Sequence, residues 1–186
     1  MFFGALALFL YNYREATVAG QASNEVLSQM VELIPETSTE EFPEFTEEMK
    51  EVVIEGYSYI GYLSIPKLEL NLPIMADWDY KQLKIAPCRY TGTIQGENLV
   101  LMAHNYERHF GLLSDLSQDD QVIFTDMDGA STFYQVVARD VLMPAAVEEM
   151  TAGKYDLTLF TCSYGGKSRI TVYCDKSIWR DEDVSH

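Results

Sequence analysis

The chain has 186 residues, 47% of them hydrophobic, and carries 29 acidic against 13 basic side chains for a formal charge of −16. That length suffices for one domain with a sizeable core plus flanking chain. The charge argues against a phosphate-backbone partner, since nucleic-acid affinity comes largely from Lys and Arg neutralising phosphates, so no nucleic-acid role is expected. The acidity is uneven: nine Glu face Lys50 alone between Glu32 and Glu55, and the rest is only mildly acidic.

The chain opens on "MFFGALALFLYNYRE", an apolar run ending at Arg14 and shorter than the roughly 20 apolar residues of a spanning helix. Three readings stay open: part of a membrane anchor, which is preferred, a signal-peptide core, or an apolar helix of the folded domain. Residues 1–14 are therefore expected to be a partial anchor or signal-like segment. From residue 15 to 33 the pattern predicts a helix, with Val18, Ala22, Leu27, Met30, Val31 and Ile34 roughly on one face and Pro35 as its stop. The following "PETSTEEFPEFTEEMKEVVIEG" is poor in aliphatic residues and rich in charge, which reads as a solvated spacer. Residues 15–55 are thus expected to be helix and acidic linker, and 56–186 the folded domain.

After Gly56 short apolar runs alternate with Gly, Pro, Asn and Asp, predicting strands at 59–65, 70–74, 98–103, 121–125, 132–142, 157–161 and 168–174. Short helical turns fit only around 78–83 and 109–116. Pro66 and Pro73 cannot donate ladder hydrogen bonds, so the first two of these strands should end or lie at an edge there. The fold class is mainly β, a closed barrel or a sandwich.

Cys88, Cys162 and Cys174 have no paired spacing, and the three histidines form no helical pair, so neither a zinc site nor any other metal or cofactor is expected. Strand alternation places Thr158, Phe160 and Cys162 on one face of "LTLFTC". The chain then turns through "SYGGK" and returns as "SRITVYC", with Arg169, Thr171 and Tyr173 on one face and Ile170, Val172 and Cys174 on the other. In an antiparallel hairpin Arg169 reaches Cys162, where a guanidinium favours a thiolate or an oxyanion formed by its attack on a carbonyl. Cys174 is expected in the core, where a free thiol is ordinary. The apolar run "NLVLMAHNY" ends on His104, a proton partner at a strand rim. His109, in an expected polar turn, and His186, the last residue, are weaker candidates.

Taken together, "LVLMAHNY", "HFGLLSDLSQDDQVIF", "LTLFTCSY" and "SRITVYC" resemble a sortase, a cysteine transpeptidase of Gram-positive cell surfaces, over roughly residues 61–176. The most specific element is Thr-Leu-x-Thr-Cys, matched by Thr158-Leu159-Phe160-Thr161-Cys162 and followed by Arg169, and "IGYLSIPKLELNLPI" is similar to the family's first two strands. The resemblance implies an eight-stranded β-barrel with short helical turns and an N-terminal helix. It also implies a groove for a Leu-Pro-x-Thr-Gly-like sorting signal, cleaved between Thr and Gly through a thioacyl-enzyme. Cys162 would be the nucleophile, His104 the proton donor and acceptor, and Arg169 the substrate and oxyanion contact. Thr161, Asn105, Ala145, Val147 and Met150 would contact substrate, the last three from "MPAAVEEMTAGK" as specificity loop.

That loop has no room for the long helix of class B sortases, and the Asp77–Trp78 pair of "ADWDY" follows a strand, unlike a lid motif in the N-terminal flank. A housekeeping or class D-like enzyme is the leaning. The implied partners are surface proteins with a C-terminal sorting signal, a peptidoglycan-precursor or pilin amine, and the membrane through the N-terminus, with the catalytic domain extracellular. Two alternatives are a hydrolysing cysteine peptidase and a non-enzymatic β-barrel binding module.

Overall fold

The computed structural model describes residues 2–35 and 48–177. A long helix α1 (Phe2–Leu33) leads into nine strands: β1 (Val52–Ile54), β2 (Tyr57–Ile65), β3 (Leu70–Met75), β4 (Cys88–Thr91), β5 (Leu99–Ala103), β6 (Gln121–Asp126), β7 (Ser131–Leu142), β8 (Leu157–Cys162) and β9 (Arg169–Lys176). The short helix α2 (Val147–Thr151) lies between β7 and β8. The sheet order is β1-β2-β3-β4-β5-β8-β9-β7-β6, and β6 pairs back onto β2, so the eight strands from β2 to β6 close a barrel. β1 extends the same edge of β2 that β6 uses further along: Tyr57 to Tyr59 pair with β1, and Gly61 to Ser64 with β6. The changeover falls at Gly61, whose positive φ would strain any other residue and where a Cβ would come within 2.1 Å of the Thr125 carbonyl oxygen.

Two strands were not expected from the sequence. β1 lies inside the acidic stretch read as linker. It joins β2 through a two-residue hairpin, Glu55–Gly56, with positive φ at both positions, the backbone twist that tight hairpins need. The four-residue β4 makes one register pair with β3 and is bulged against β5 between Arg89 and Thr91, too short and irregular for a period-two signature. Pro66 starts a 3-10 turn just after β2 ends, and Pro73 lies in β3 opposite Tyr62.

Alternation sorts the side chains into two layers. Leu99, Leu101, Leu157, Leu159, Val172 and Cys174 point into the barrel with Leu63, Phe124 and Tyr134. Val100 and Phe160 point outward and form a second cluster with Leu142 and Met150, against which Tyr90, Met102 and Ala146 pack. β5 and β8 are therefore buried on both faces, which is why they read as nearly continuous apolar runs.

The α1 seam is also unlike the expected face. Ala19, Gly20, Ser23, Val26 and Met30 are buried, whereas Val18 and Val31 are more than half exposed. Small residues set this contact: Gly20 lies so close to the Arg108 side chain that a Cβ would meet its Cδ at 2.3 Å. Further along, Val26 and Met30 join Tyr59, Met75 and Cys88 in a third apolar cluster. Among the described residues no helix is long and apolar enough to cross a membrane.

Candidate active site

The parallel pairing of β5 with β8 brings the sequence-derived residues together. Ala103 lies opposite Thr161, so the next residues, His104 and Cys162, leave the barrel at the same rim. Thr161 ties the two strand ends by donating its hydroxyl to the Ala103 carbonyl at 2.9 Å. In the antiparallel pairing of β8 with β9, Cys162 lies directly opposite Arg169. Three residues separated by up to 65 positions in sequence thus occupy one end of three adjacent strands.

Of the three free cysteines, only Cys162 is not buried. Burial, helped by the charges of Asp79 and Asp77, pushes the Cys88 thiol up to about 12, and burial pushes Cys174 up as well. Both stay protonated and unreactive near neutrality, and being on opposite sides of the barrel wall they form no bridge. Arg169 donates from Nη1 to its own loop, to the carbonyls of Gly166 at 3.3 Å and Ser168 at 3.2 Å. Those contacts hold the guanidinium at the β8–β9 turn and are weak enough to exchange for a substrate oxygen.

His104 is half-buried, and its Nε2 has no hydrogen-bond partner among the described residues. Burial first, and the positive charge of Lys84 second, hold its pKa below the ordinary 6.5, against the opposing pull of Glu15. The imidazole is therefore mainly neutral at pH 7, with Nε2 buried and unpartnered among the described residues. The loop after it folds back: Phe110 N–H donates to the His104 carbonyl at 3.2 Å, and Gly111 N–H to the Tyr106 carbonyl at 2.8 Å. Gly111 is required there, since a Cβ would sit 2.7 Å from the carbonyl oxygens of Asn105 and Tyr106. The Tyr106 ring lies 5.0 Å from His104 and 5.5 Å from His109. Glu15 of α1 meets Lys84 at 4.0 Å, so α1 borders the histidine side of the site.

His109 corrects the expectation of a polar turn. It is fully buried, with Nε2 3.3 Å from Ser23 Oγ, and it docks α1 onto the barrel. Met150 is buried in the outer cluster beside Phe160, while Ala145 and Val147 are exposed on the same loop and Asn105 is half-buried beside His104. The apolar floor formed by Val100, Phe160, Leu142, Tyr90 and Met102 was missed. Phe160 was legible, two residues before Cys162 on the same face, but Tyr90 was hidden with β4. Among the described residues no His, Cys, Asp and Glu group is placed to hold a metal.

A partly exposed thiol, a neutral imidazole and a guanidinium at one barrel rim, beside the outer apolar cluster, form a set suited to acyl transfer through a thioester. A search of curated protein sequences returns no match. Among solved structures, sortase A from Corynebacterium diphtheriae is similar at 23% identity and TM-score 0.62, over 68% of this chain and 64% of that one. The chain thus spans a little under two thirds of that relative. Sortase C1 from Streptococcus suis is similar at 25% identity and TM-score 0.58, over 69% and 76%. A lid mutant of the Corynebacterium diphtheriae enzyme aligns at 20% identity and TM-score 0.60, over 94% and 97%. The family model of the Sortase domain matches residues 63–177, from β2 to just past β9. With more than half of its length covered by that domain, the chain belongs to the sortase family.

Proposed function

We propose that the protein cleaves a Leu-Pro-x-Thr-Gly-like sorting signal between Thr and Gly and transfers the surface protein to an amine of the cell wall or a pilin. The observation that carries this reading is the convergence of His104, Cys162 and Arg169 at one barrel rim through the β5–β8 and β8–β9 registers. In the first half-reaction His104 takes the thiol proton as the Cys162 sulfur attacks the Thr carbonyl carbon, and Arg169 stabilises the negative charge that develops on the carbonyl oxygen. The C–N bond breaks as His104 gives a proton to the departing Gly amine, leaving a Thr thioester on Cys162.

The thioester persists until an amine arrives. The amine attacks the thioester carbon, His104 takes its proton, and the Cys162 thiolate leaves as the new amide forms. The apolar wall of Val100, Phe160 and Met150 would seat the motif and limit water beside the thioester. Ala145, Val147 and Asn105 would line its edges, and Thr161 would hold the strand ends together. We place the catalytic domain outside the cell, tethered through residues 1–14, with residues 15–55 between tether and barrel.

The test is cleavage of a fluorogenic Leu-Pro-x-Thr-Gly peptide with and without an added amine. Amine-dependent product at the expense of free acid supports transfer. Free acid at an unchanged rate with amine present would instead identify a hydrolysing peptidase, and full activity of Cys162→Ala would refute the mechanism.

A further inference from the structure

Beyond Phe160 and Tyr90, the outer apolar cluster is continued sideways by two aromatic rings, Trp78 and Tyr80, that the reaction above does not use. Phe160 meets Tyr90 edge-on at 5.5 Å and 84°, Tyr90 stacks with Trp78 at 5.6 Å and 29°, and Trp78 meets Tyr80 edge-on at 6.0 Å and 84°. Exposure rises along the row from 4% at Phe160 to 39% at Trp78 and 76% at Tyr80. The row therefore runs from Phe160, two residues before Cys162 on the same strand, out into solvent.

The loop that presents Trp78 is braced at both ends. Ala76 N–H donates to the Ser58 carbonyl at 2.9 Å, and Arg89 Nε donates to the Ala76 carbonyl at 2.7 Å. The Asp79 carboxylate accepts the N–H groups of Lys81 at 2.6 Å and Gln82 at 2.7 Å. An indole fixed this way with part of its surface in water is pre-organised for a partner. Asp77 and Asp79 flank it, and with Glu51, 3.4 Å from the bracing Arg89, the carboxylates outnumber Lys81 and Arg89 by one, so the platform keeps a net negative charge. Electron-rich ring faces beside carboxylates select an ammonium or guanidinium group.

We propose that Trp78, Tyr80 and Asp77 form an exosite for a lysine or arginine of the substrate protein just ahead of the sorting motif. The proposal rests on the transpeptidase reading for its substrate. The two ring steps from Phe160 to Trp78, at roughly 3.3 Å per extended residue, correspond to about three residues of peptide. Three residues before the Thr is the Leu of the motif, so a Lys or Arg one position further upstream has the indole within reach of its long side chain.

The experiment compares peptides that differ only in having Lys, Ala, Leu or Glu immediately before the motif. Turnover is measured with wild type, and binding with Cys162→Ala carrying Trp179→Phe, in which Trp78 is the only indole of the chain's two left. The Lys peptide should exceed the Ala peptide in kcat/KM by roughly five- to ten-fold, through KM, with Glu lowest. Trp78→Ala and, at the mostly exposed position, Tyr80→Ala should bring that ratio to within about two-fold, and Asp77→Asn should lower it partway. Cleavage without discrimination, a preference for Leu over Lys, or a ratio untouched in both aromatic variants overturns the exosite alone. Lys-selective quenching of Trp78 without any cleavage upholds the exosite and overturns the transpeptidase reading, and neither signal overturns both.

Discussion

The sharpest consequence of the α1 seam concerns His109. Ser23 donates its single hydroxyl hydrogen to the Ile85 carbonyl at 2.8 Å, so its oxygen accepts from His109 Nε2–H at 3.3 Å. Nδ1 is then a bare nitrogen, buried and without a partner among the described residues. Burial, followed by the nearby His104, holds the His109 pKa down to about 4 from the ordinary 6.5, against a weaker opposing pull from the Ala19 and Ile85 carbonyls. Above about pH 6.5 His109 is neutral folded and unfolded, and contributes no pH dependence. Between about 6.5 and about 4 the unfolded chain binds a proton that the folded one refuses, so stability falls as pH falls, and the loss levels off below about 4. The gap is worth about 3 kcal/mol. Urea unfolding of wild type and His109→Gln between about pH 7.5 and about pH 4 measures it, since the glutamine amide can still donate to Ser23 but does not titrate. Wild type should lose about 3 kcal/mol more than the variant over that window. Parallel curves would refute the buried, neutral His109 and with it this account of how α1 is fastened.

Three further outcomes follow from the site and the core. Lys84→Gln should move the acid limb of amine transfer to higher pH, and Glu15→Gln to lower pH, because the first charge lowers and the second raises the His104 pKa; pH–rate profiles of the two variants read this directly. Arg169→Ala should lower kcat/KM by roughly two to three orders of magnitude, with Arg169→Lys between it and wild type; a drop under about two-fold would remove Arg169 from the oxyanion contact. Leu159→Ala, in the barrel interior, should cost about 2–5 kcal/mol by denaturant unfolding, while Val141→Ala, 65% exposed, should stay within about 0.5 kcal/mol.

The site was more legible than the scaffold around it, for a physical reason. Cys162 and Arg169 share a hairpin whose register alternation alone could place face to face, and His104 ends a run apolar on both faces, the mark of a central strand. β4 and the Tyr90 it carries were invisible because four bulged residues leave no period, and β1 because its hairpin turn sits in acidic sequence. His109 looked like a turn residue because only α1, packing across the loop, makes it interior. Likewise the α1 face is chosen by how closely Ala19, Gly20 and Ser23 let the backbone approach, not by where its largest side chains fall.

The central claim is that Cys162 carries the acyl group between donor and acceptor. Intact-mass measurement after rapid mixing of the protein with a Leu-Pro-x-Thr-Gly peptide, followed by digestion, tests it most directly. The account predicts an adduct of the Leu-Pro-x-Thr fragment less water on Cys162, absent from Cys162→Ala and discharged as a hydroxamate by hydroxylamine. Product formation with no adduct at Cys162, or an adduct that survives hydroxylamine, would contradict it.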